Sequence, residues 1–270
     1  MNLPDIQNSK GDFGCSVEAG IRDLLIPVKI KRRDDILIDT NAYINATVTL
    51  PKNQRGVHMS RIPINIFDCL VRNTWVATEL RPLLYRLTDQ LEAESSTVMI
   101  SFPYFLEKTS PISFHKGLNH VNCSISAMYN KNTGFFMRSL TVSVDVMTLC
   151  PCSKEISEAN AHNQRANVDI TVDYGDNFIW IEELVEIAEI NASSGLYPIL
   201  KRVDEKYVTE KAYSDPVFVE DLARRIANAL HADERIHYFD VSVTSEESIH
   251  QHNAYAHVNS RHMERGTTNV

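Results

Sequence analysis

The sequence predicts an antiparallel α+β protein, and three observations lead there. Several segments alternate apolar and polar residues with the period of half-buried strands, three others carry apolar residues at helical spacing, and the two kinds do not alternate as βαβ units would. In chain order the strand-like segments include Ala46 to Leu50, Thr97 to Phe102, Val121 to Met128, Leu140 to Met147, Ala166 to Val172 and Tyr238 to Val243. The helical spacing falls on Leu80, Leu83, Leu84, Leu87 and Leu91, then on Ile181, Leu184, Val185 and Ala188, and last on Phe218, Leu222, Ile226 and Leu230. Asp215 reads as the N-cap of the third helix and Pro216 as its first residue.

The 270 residues are 43% hydrophobic and 23% charged, enough to bury one large core or two small ones. If there are two modules, the polar stretch from Glu107 to Asn119 is the expected joint. A formal charge of -8, from 27 basic and 35 acidic residues, argues against a duplex nucleic-acid binder, which needs a basic footprint. A small anion remains open, because a few converging Arg and Lys side chains hold phosphate against the net charge. The first ten residues lack the apolar run of a signal peptide, and no stretch approaches the roughly 18 to 20 apolar residues of a membrane helix, so a cytoplasmic protein without membrane contact is expected. Five scattered cysteines, an odd number, suit a metal-binding or reactive thiol better than a disulfide framework. Glycine-rich phosphate loops of the GxGxxG or GxxxxGK[ST] kind are absent. The tail from Arg261 to Val270 is polar and is expected to fray.

The chemistry-bearing residues gather in a few places. Leu149-Cys150-Pro151-Cys152-Ser153-Lys154-Glu155-Ile156-Ser157 leaves one predicted strand and runs, through Ala161-His162-Asn163-Gln164-Arg165, into the next. Cys150 and His162 thus stand at the two ends of one connection, where a thiolate with an imidazole suits Zn²⁺ or another first-row divalent metal. On spacing alone the same residues also read as a tight turn with two buried thiols and a surface histidine, while a Cys-His protease dyad lacks any matching local signature. Near the carboxyl end, Glu246, Glu247, His250 and His252 crowd a short segment; on a strand the two histidines would share a face, and such groups bind metal or move protons near neutral pH. Lys201 to Lys206 reads by charge as a solvated face, and Glu220 as an acid at a helix start. Gly56-Val57-His58-Met59-Ser60-Arg61 offers a histidine, a hydroxyl and an arginine just after a strand, a fair anion site and equally an ordinary loop.

Taken together these segments resemble the type IB (FolE2-like) GTP cyclohydrolase family. The resemblance is carried, in order along nearly the whole chain, by PDIQN at Pro4 to Asn8, GVHMSR at Gly56 to Arg61, CPCSKEIS and AHNQR between Cys150 and Arg165, KRVDEK at Lys201 to Lys206, DPVFVED at Asp215 to Asp221 and ESIHQHNAYA at Glu247 to Ala256. Two positions depart from it: Val57, where the family commonly has Thr, and Asn253, where Asp is common.

The resemblance implies a tunnelling fold, with antiparallel sheets backed by helices, two tandem modules, and a homotetramer whose sheets close into barrels with active sites at interfaces. It implies metal-dependent hydrolytic opening of the guanine imidazole ring of GTP, at the entry to folate biosynthesis. Cys150, His162 and Glu205 then look like metal ligands, with Glu247 as a further one, a set that tolerates Zn²⁺, Mn²⁺ or Fe²⁺. Glu220 looks like the guanine anchor, His250 or His252 like the general acid, and Arg61 and Lys154 like triphosphate contacts, with His58 in the pocket. The rival readings are the tunnelling-fold nitrile reductase of queuosine synthesis, which would make Cys150 a nucleophile, and a non-catalytic purine- or pterin-binding protein. No stretch resembles the reductase's ESKSLK-type motif.

Overall fold

A computed structural model describes Gln7, residues 9–72 and residues 79–263. Pro4, Asp5, Ile6 and Asn8 of the first motif, and residues 264–270 of the tail, lie outside the described residues. The described residues fall into two compact units, divided at Pro103/Tyr104, Cys123/Ser124 and Ser139/Leu140.

Unit 1 opens with a long antiparallel hairpin, β1 (Val17–Lys31) and β2 (Leu37–Leu50), in register from Val17 opposite Leu50 to Lys31 opposite Leu37. A bulge between Ile21 and Leu24 breaks the ladder, and the Asp23 N–H there donates to Asn45 Oδ1 at 2.8 Å. Beside it, a Cβ on Gly20 would sit 1.9 Å from the Ala46 carbonyl oxygen, so no other residue fits. The first part of β3 (Ser95–Thr109) pairs with β2, from Val48 opposite Ser96 to Tyr43 opposite Ser101. Two helical segments follow β2. One is α1 (Arg61–Ile66), which continues as a wider turn to Arg72; the other is α2 (Arg81–Gln90). All five predicted leucines, from Leu80 to Leu91, are buried, as the helical spacing requires. The start of β1 escaped prediction because its residues are mostly exposed and do not alternate.

Unit 2 holds the rest of the fold. Its strands are the last residues of β3, the first of β4 (Lys116–Asn130), most of β5 (Phe136–Leu149), then β6 (Asn163–Tyr174), the short β7 (Ser194–Gly195), β8 (Ile236–Ser245) and β9 (Ala254–Asn259). β6 pairs with β8 and β8 with β9, all antiparallel, while β7 pairs with β5. The helices are α3 (Pro151–Ile156), α4 (Ile181–Asn191), α5 (Arg202–Ser214) and α6 (Val219–His231). α6 lies on β8 and β9 and buries Leu222, Ile226 and Leu230 with no exposed surface. Each such side chain contributes about 1.5 to 3 kcal/mol by leaving water. Val168 and Ile170 of β6 and Val241 and Val243 of β8 are buried as well, each followed by a more accessible residue.

Two expectations are corrected here. Asp215 does not cap α6: it is the C-cap of α5, its N–H donates to the Lys211 carbonyl, and its carboxylate meets Arg225 Nη1 at 3.3 Å; Phe218 takes the N-cap position and Pro216 precedes it. His250 and His252 are not on a strand, since the chain bends from 248 to 252 and β9 begins only at Ala254. The mixed-charge run from Lys201 to Lys206 is exposed as its charge suggests, except for Asp204, and it forms the start of α5, whose buried residues are only Asp204, Val208 and Ala212, too narrow a stripe for an apolar period to reveal. Among the described residues, no helix is long and apolar enough to cross a membrane.

Candidate active site

Where β5 ends, Cys150 and Pro151 start a helix. Cys150 keeps extended backbone and its Sγ accepts the Ser153 N–H at 3.4 Å, a cysteine acting as N-cap, while proline at the first helical position has no N–H to leave unpaired. The connection then closes on itself. The Cys150 N–H donates to the His162 carbonyl at 3.1 Å, and the His162 N–H donates to Ser153 Oγ at 3.2 Å, which in turn donates to the Cys150 carbonyl. Cys150 and His162, twelve residues apart in sequence, are thereby held side by side through main-chain bonds.

Two further bonds bring the other groups in. The Val217 N–H donates to the Leu149 carbonyl at 3.1 Å, which sets the start of α6, and so Glu220, beside Cys150. The Glu246 N–H donates to the Arg165 carbonyl at 2.9 Å, prolonging the β6–β8 ladder by a step and delivering Glu247 to Gln164. Around these anchors lies a cavity of about 320 Å³, lined by Cys150, His162, Gln164, Glu220, Glu247, His250 and His252, with Thr148, Val217, Phe218, Val219 and Ala254. Glu220 also borders a larger groove between α6 and β9, but that groove holds no cysteine.

Inside the cavity, His162 Nδ1 lies 2.9 Å from Gln164 Oε1 and 4.0 Å from Glu247 Oε2. Gln164 Nε2 donates to Glu247 Oε1 at 3.3 Å. The His162 and Glu247 side chains are only 15% and 11% exposed, so water screens this group little. His250 and His252 are exposed at the rim and stack, ring centroids 5.2 Å apart and 16° from parallel. Glu220 is exposed in the first turn of α6.

Of the residues read from the sequence, the structure gathers Cys150, His162, Glu247, His250, His252 and Glu220 around one cavity. Cys152 is exposed on α3 and does not line it. Lys154 donates to the Tyr213 carbonyl and stands 4.3 Å from the Tyr213 ring. Glu205 is exposed near the start of α5, roughly 12 Å along the helix axis from Tyr213 at 1.5 Å per residue. His58 and Arg61 belong to unit 1, where Arg61 Nη1 donates to the Gln90 carbonyl at 2.7 Å, and Val57 is buried. Gln164 was passed over. Its signal was there: it lies two residues beyond His162 at the edge of a strand, and so on the same side.

The donor set suits a first-row divalent metal in kind, with a thiol sulfur, an imidazole nitrogen and carboxylate oxygens on one wall. Among the described residues, however, no three His, Cys, Asp or Glu side chains converge closely enough to hold an ion.

Comparison with known proteins covers nearly the whole chain. The family model described as type I GTP cyclohydrolase folE2 matches residues 3–256. A GTP cyclohydrolase FolE2 of Thermotoga maritima is 47% identical over 255 residues, which are 94% of this chain and 96% of that one. The Thermosipho melanesiensis protein of the same name is 44% identical over 263 residues, 97% and 100% of the two chains, and that of Geotalea uraniireducens is 40% identical over 268 residues, 99% and 97%. Among solved structures, the uricase of Arthrobacter globiformis superposes with a TM-score of 0.56 over 94% of this chain and 96% of its own at 8% identity, a likeness of fold alone.

Proposed function

The chain belongs to the type I GTP cyclohydrolase FolE2 family, and from that premise we propose how its residues open the guanine imidazole ring of GTP, releasing formate and forming 7,8-dihydroneopterin triphosphate, the first step of tetrahydrofolate biosynthesis. Family membership removes the nitrile reductase reading. The observation that carries the residue-level account is the single cavity shared by a thiol, an imidazole pair at its rim, a buried carboxylate beside a histidine, and an exposed carboxylate at a helix start.

Glu220 anchors the base. Its carboxylate accepts two parallel N–H bonds, from N1 and from the 2-amino group of guanine, and sits at the positive end of α6. Cys150 and His162 would hold a divalent metal, with Glu247 and Glu205 as further ligands once they move in; Zn²⁺, Mn²⁺ and Fe²⁺ all suit such a set. When bound, the ion supplies the Lewis acidity that makes water a nucleophile near neutral pH. Water adds across the C8–N7 double bond, oxygen to C8 and a proton to N7; His250 or His252 delivers that proton and is recharged by the one the water gives up. The C8–N9 bond then breaks with a proton going to N9, and a second water hydrolyses the resulting formamide on N7 to release formate before the open product recloses. Both histidines lie at the mouth of the cavity, exposed, so either can exchange protons with solvent between turnovers. For the triphosphate we propose Arg61 and Lys154, with His58 in the pocket. Each cation has to release a backbone carbonyl, Gln90 for Arg61 and Tyr213 for Lys154, before it can reach a phosphate.

The assembly we propose is a homotetramer of chains with two tandem modules joined near 107–119, whose sheets close into barrels. Among the described residues β9 pairs with β8 alone and leaves an edge that closure would cover. The deciding experiment is formate release from GTP by metal-free protein reloaded with Zn²⁺, Mn²⁺ or Fe²⁺ in turn. Turnover that depends on one of these ions supports the account. Tight GTP binding without formate under every ion would leave a purine-binding protein, and turnover unaffected by metal removal would refute the assigned role of Cys150 and His162.

A further inference from the structure

We propose that Gln164 is a positioning residue that fixes the tautomer of His162, so that Nε2 presents its lone pair to the cavity; its bearing on metal binding rests on the ligand assignment above. The inference comes from three groups whose hydrogen-bonding roles constrain one another. Glu247, when ionised, only accepts. Gln164 Nε2 lies 3.3 Å from Glu247 Oε1 and 3.4 Å from Thr148 Oγ1, so the amide must direct its NH₂ to that side. Its carbonyl oxygen then faces His162 Nδ1 at 2.9 Å, and a carbonyl oxygen requires a donor there. Nδ1 therefore carries the hydrogen, and Nε2 is left with its lone pair. The flipped amide would set the carbonyl oxygen against the carboxylate, two acceptors in a site where water screens little.

Two neighbours support the same arrangement. Ser248 Oγ stands 3.4 Å from Gln164 Oε1 and can donate to it, and Glu247 Oε2, 4.0 Å from Nδ1, places negative charge on the side where the hydrogen resides. The sequence explains how the relay is built. His162 and Gln164 are two residues apart and share a side, while Glu247 arrives two residues past Ser245, which stands opposite Ala166 in the last β6–β8 pair. A histidine whose second nitrogen donates to an oxygen acceptor is held in orientation and made a better ligand, and loss of such a partner typically costs about 10- to 100-fold in metal affinity.

The test uses the metal-free protein and two variants, Gln164→Leu and the exchange Gln164→Glu with Glu247→Gln. In wild type, ¹⁵N NMR of His162, assigned by comparison with His162→Ala, should find the hydrogen on Nδ1. Gln164→Leu should lose that tautomer preference and bind Co²⁺, followed by its thiolate charge-transfer absorption, about 10- to 100-fold more weakly. The exchange variant, which keeps an acceptor for Nδ1 and a donor between residues 164 and 247, should retain the tautomer. A wild-type His162 protonated on Nε2 overturns the proposal even if the leucine variant does not fold. So does a folded leucine variant with an unchanged tautomer and unchanged Co²⁺ affinity. Should the tautomer respond as expected while wild type binds no Co²⁺, the positioning role stands and the ligand assignment of His162 is what fails.

Discussion

Glu220→Gln separates two roles that the structure leaves in one place. The residue is exposed at the second position of α6 and, among the described residues, makes no side-chain hydrogen bond or ion pair that would explain a charge there. If its only work is to complement the helix dipole, neutralising it removes roughly 0.3 to 1 kcal/mol and a small shift in the urea midpoint is all that follows. If it anchors guanine, one carboxylate oxygen becomes an NH₂ facing a substrate edge that donates twice. One charge-assisted bond is then replaced by a donor-donor contact. Sites built to pair with a substrate N–H discriminate by roughly 10⁴ to 10⁵ when the pairing fails, or roughly 5.5 to 7 kcal/mol of transition-state binding. The assay is formate release from GTP, with bound metal measured on the same samples, because the variant leaves Cys150 and His162 untouched. Loss of turnover by orders of magnitude at unchanged metal content is expected. Near-normal formate release at normal metal content would return Glu220 to the helix start and refute the anchor.

Three other perturbations have definite expectations. Cys150→Ala should abolish both metal retention and formate release while Cys152→Ala keeps most activity, since Cys150 faces the cavity and Cys152 is exposed on α3; equal loss in both would mean the wrong thiol has been chosen. Leu222→Ala, at a fully buried position on α6, should lower stability by about 2 to 5 kcal/mol in urea unfolding, and a loss under 1 kcal/mol would contradict the packing described. Burial pushes the Asp204 carboxyl up, but hydrogen bonds from the Ser113 hydroxyl and from the N–H groups of Ser113, Lys201 and Ile112 outweigh it and hold the group well below the usual carboxylate range. A carboxyl lowered on folding stabilises above its unfolded value, about 3.9, and that contribution is lost as pH falls toward the folded value. Asp204→Asn should therefore be less stable than wild type at pH 7, and the gap between their urea midpoints should narrow below about pH 4; a gap independent of pH would rule the mechanism out.

The strand and helix periods were legible because most of them report burial directly. Val168, Ile170 and Val172 are buried at every second position of β6, and Leu222, Ile226 and Leu230 at every fourth of α6. What was not legible is where a polar residue goes once its backbone is spent. Asp215 has the composition of an N-cap, but its N–H and its carboxylate are both engaged at the end of α5 and with Arg225, so the proline after it starts nothing. In α5 the adjacent pair Asp204 and Glu205 looks equivalent by charge. One is wholly enclosed by a turn ninety residues upstream, the other is exposed, and only the long-range bonds to Ile112 and Ser113 tell them apart.

The same distinction runs through the cavity. Residue type and spacing mark Cys150 and His162 as candidates while leaving a plain turn open, and the structure sets both on one cavity. Their placement depends on groups with no chemical signature: the Ser153 hydroxyl that bridges the Cys150 and His162 backbones, and the Gln164 amide whose orientation is dictated by Glu247. A serine or glutamine is read as polar surface until its partners are known. Since a histidine binds a cation only through a nitrogen that carries no hydrogen, the reactive part of His162 is chosen by its neighbour's neighbour. The candidate site is thus lined by residues that a sequence displays, while the nitrogen that His162 would present depends on contacts that only the folded chain brings together.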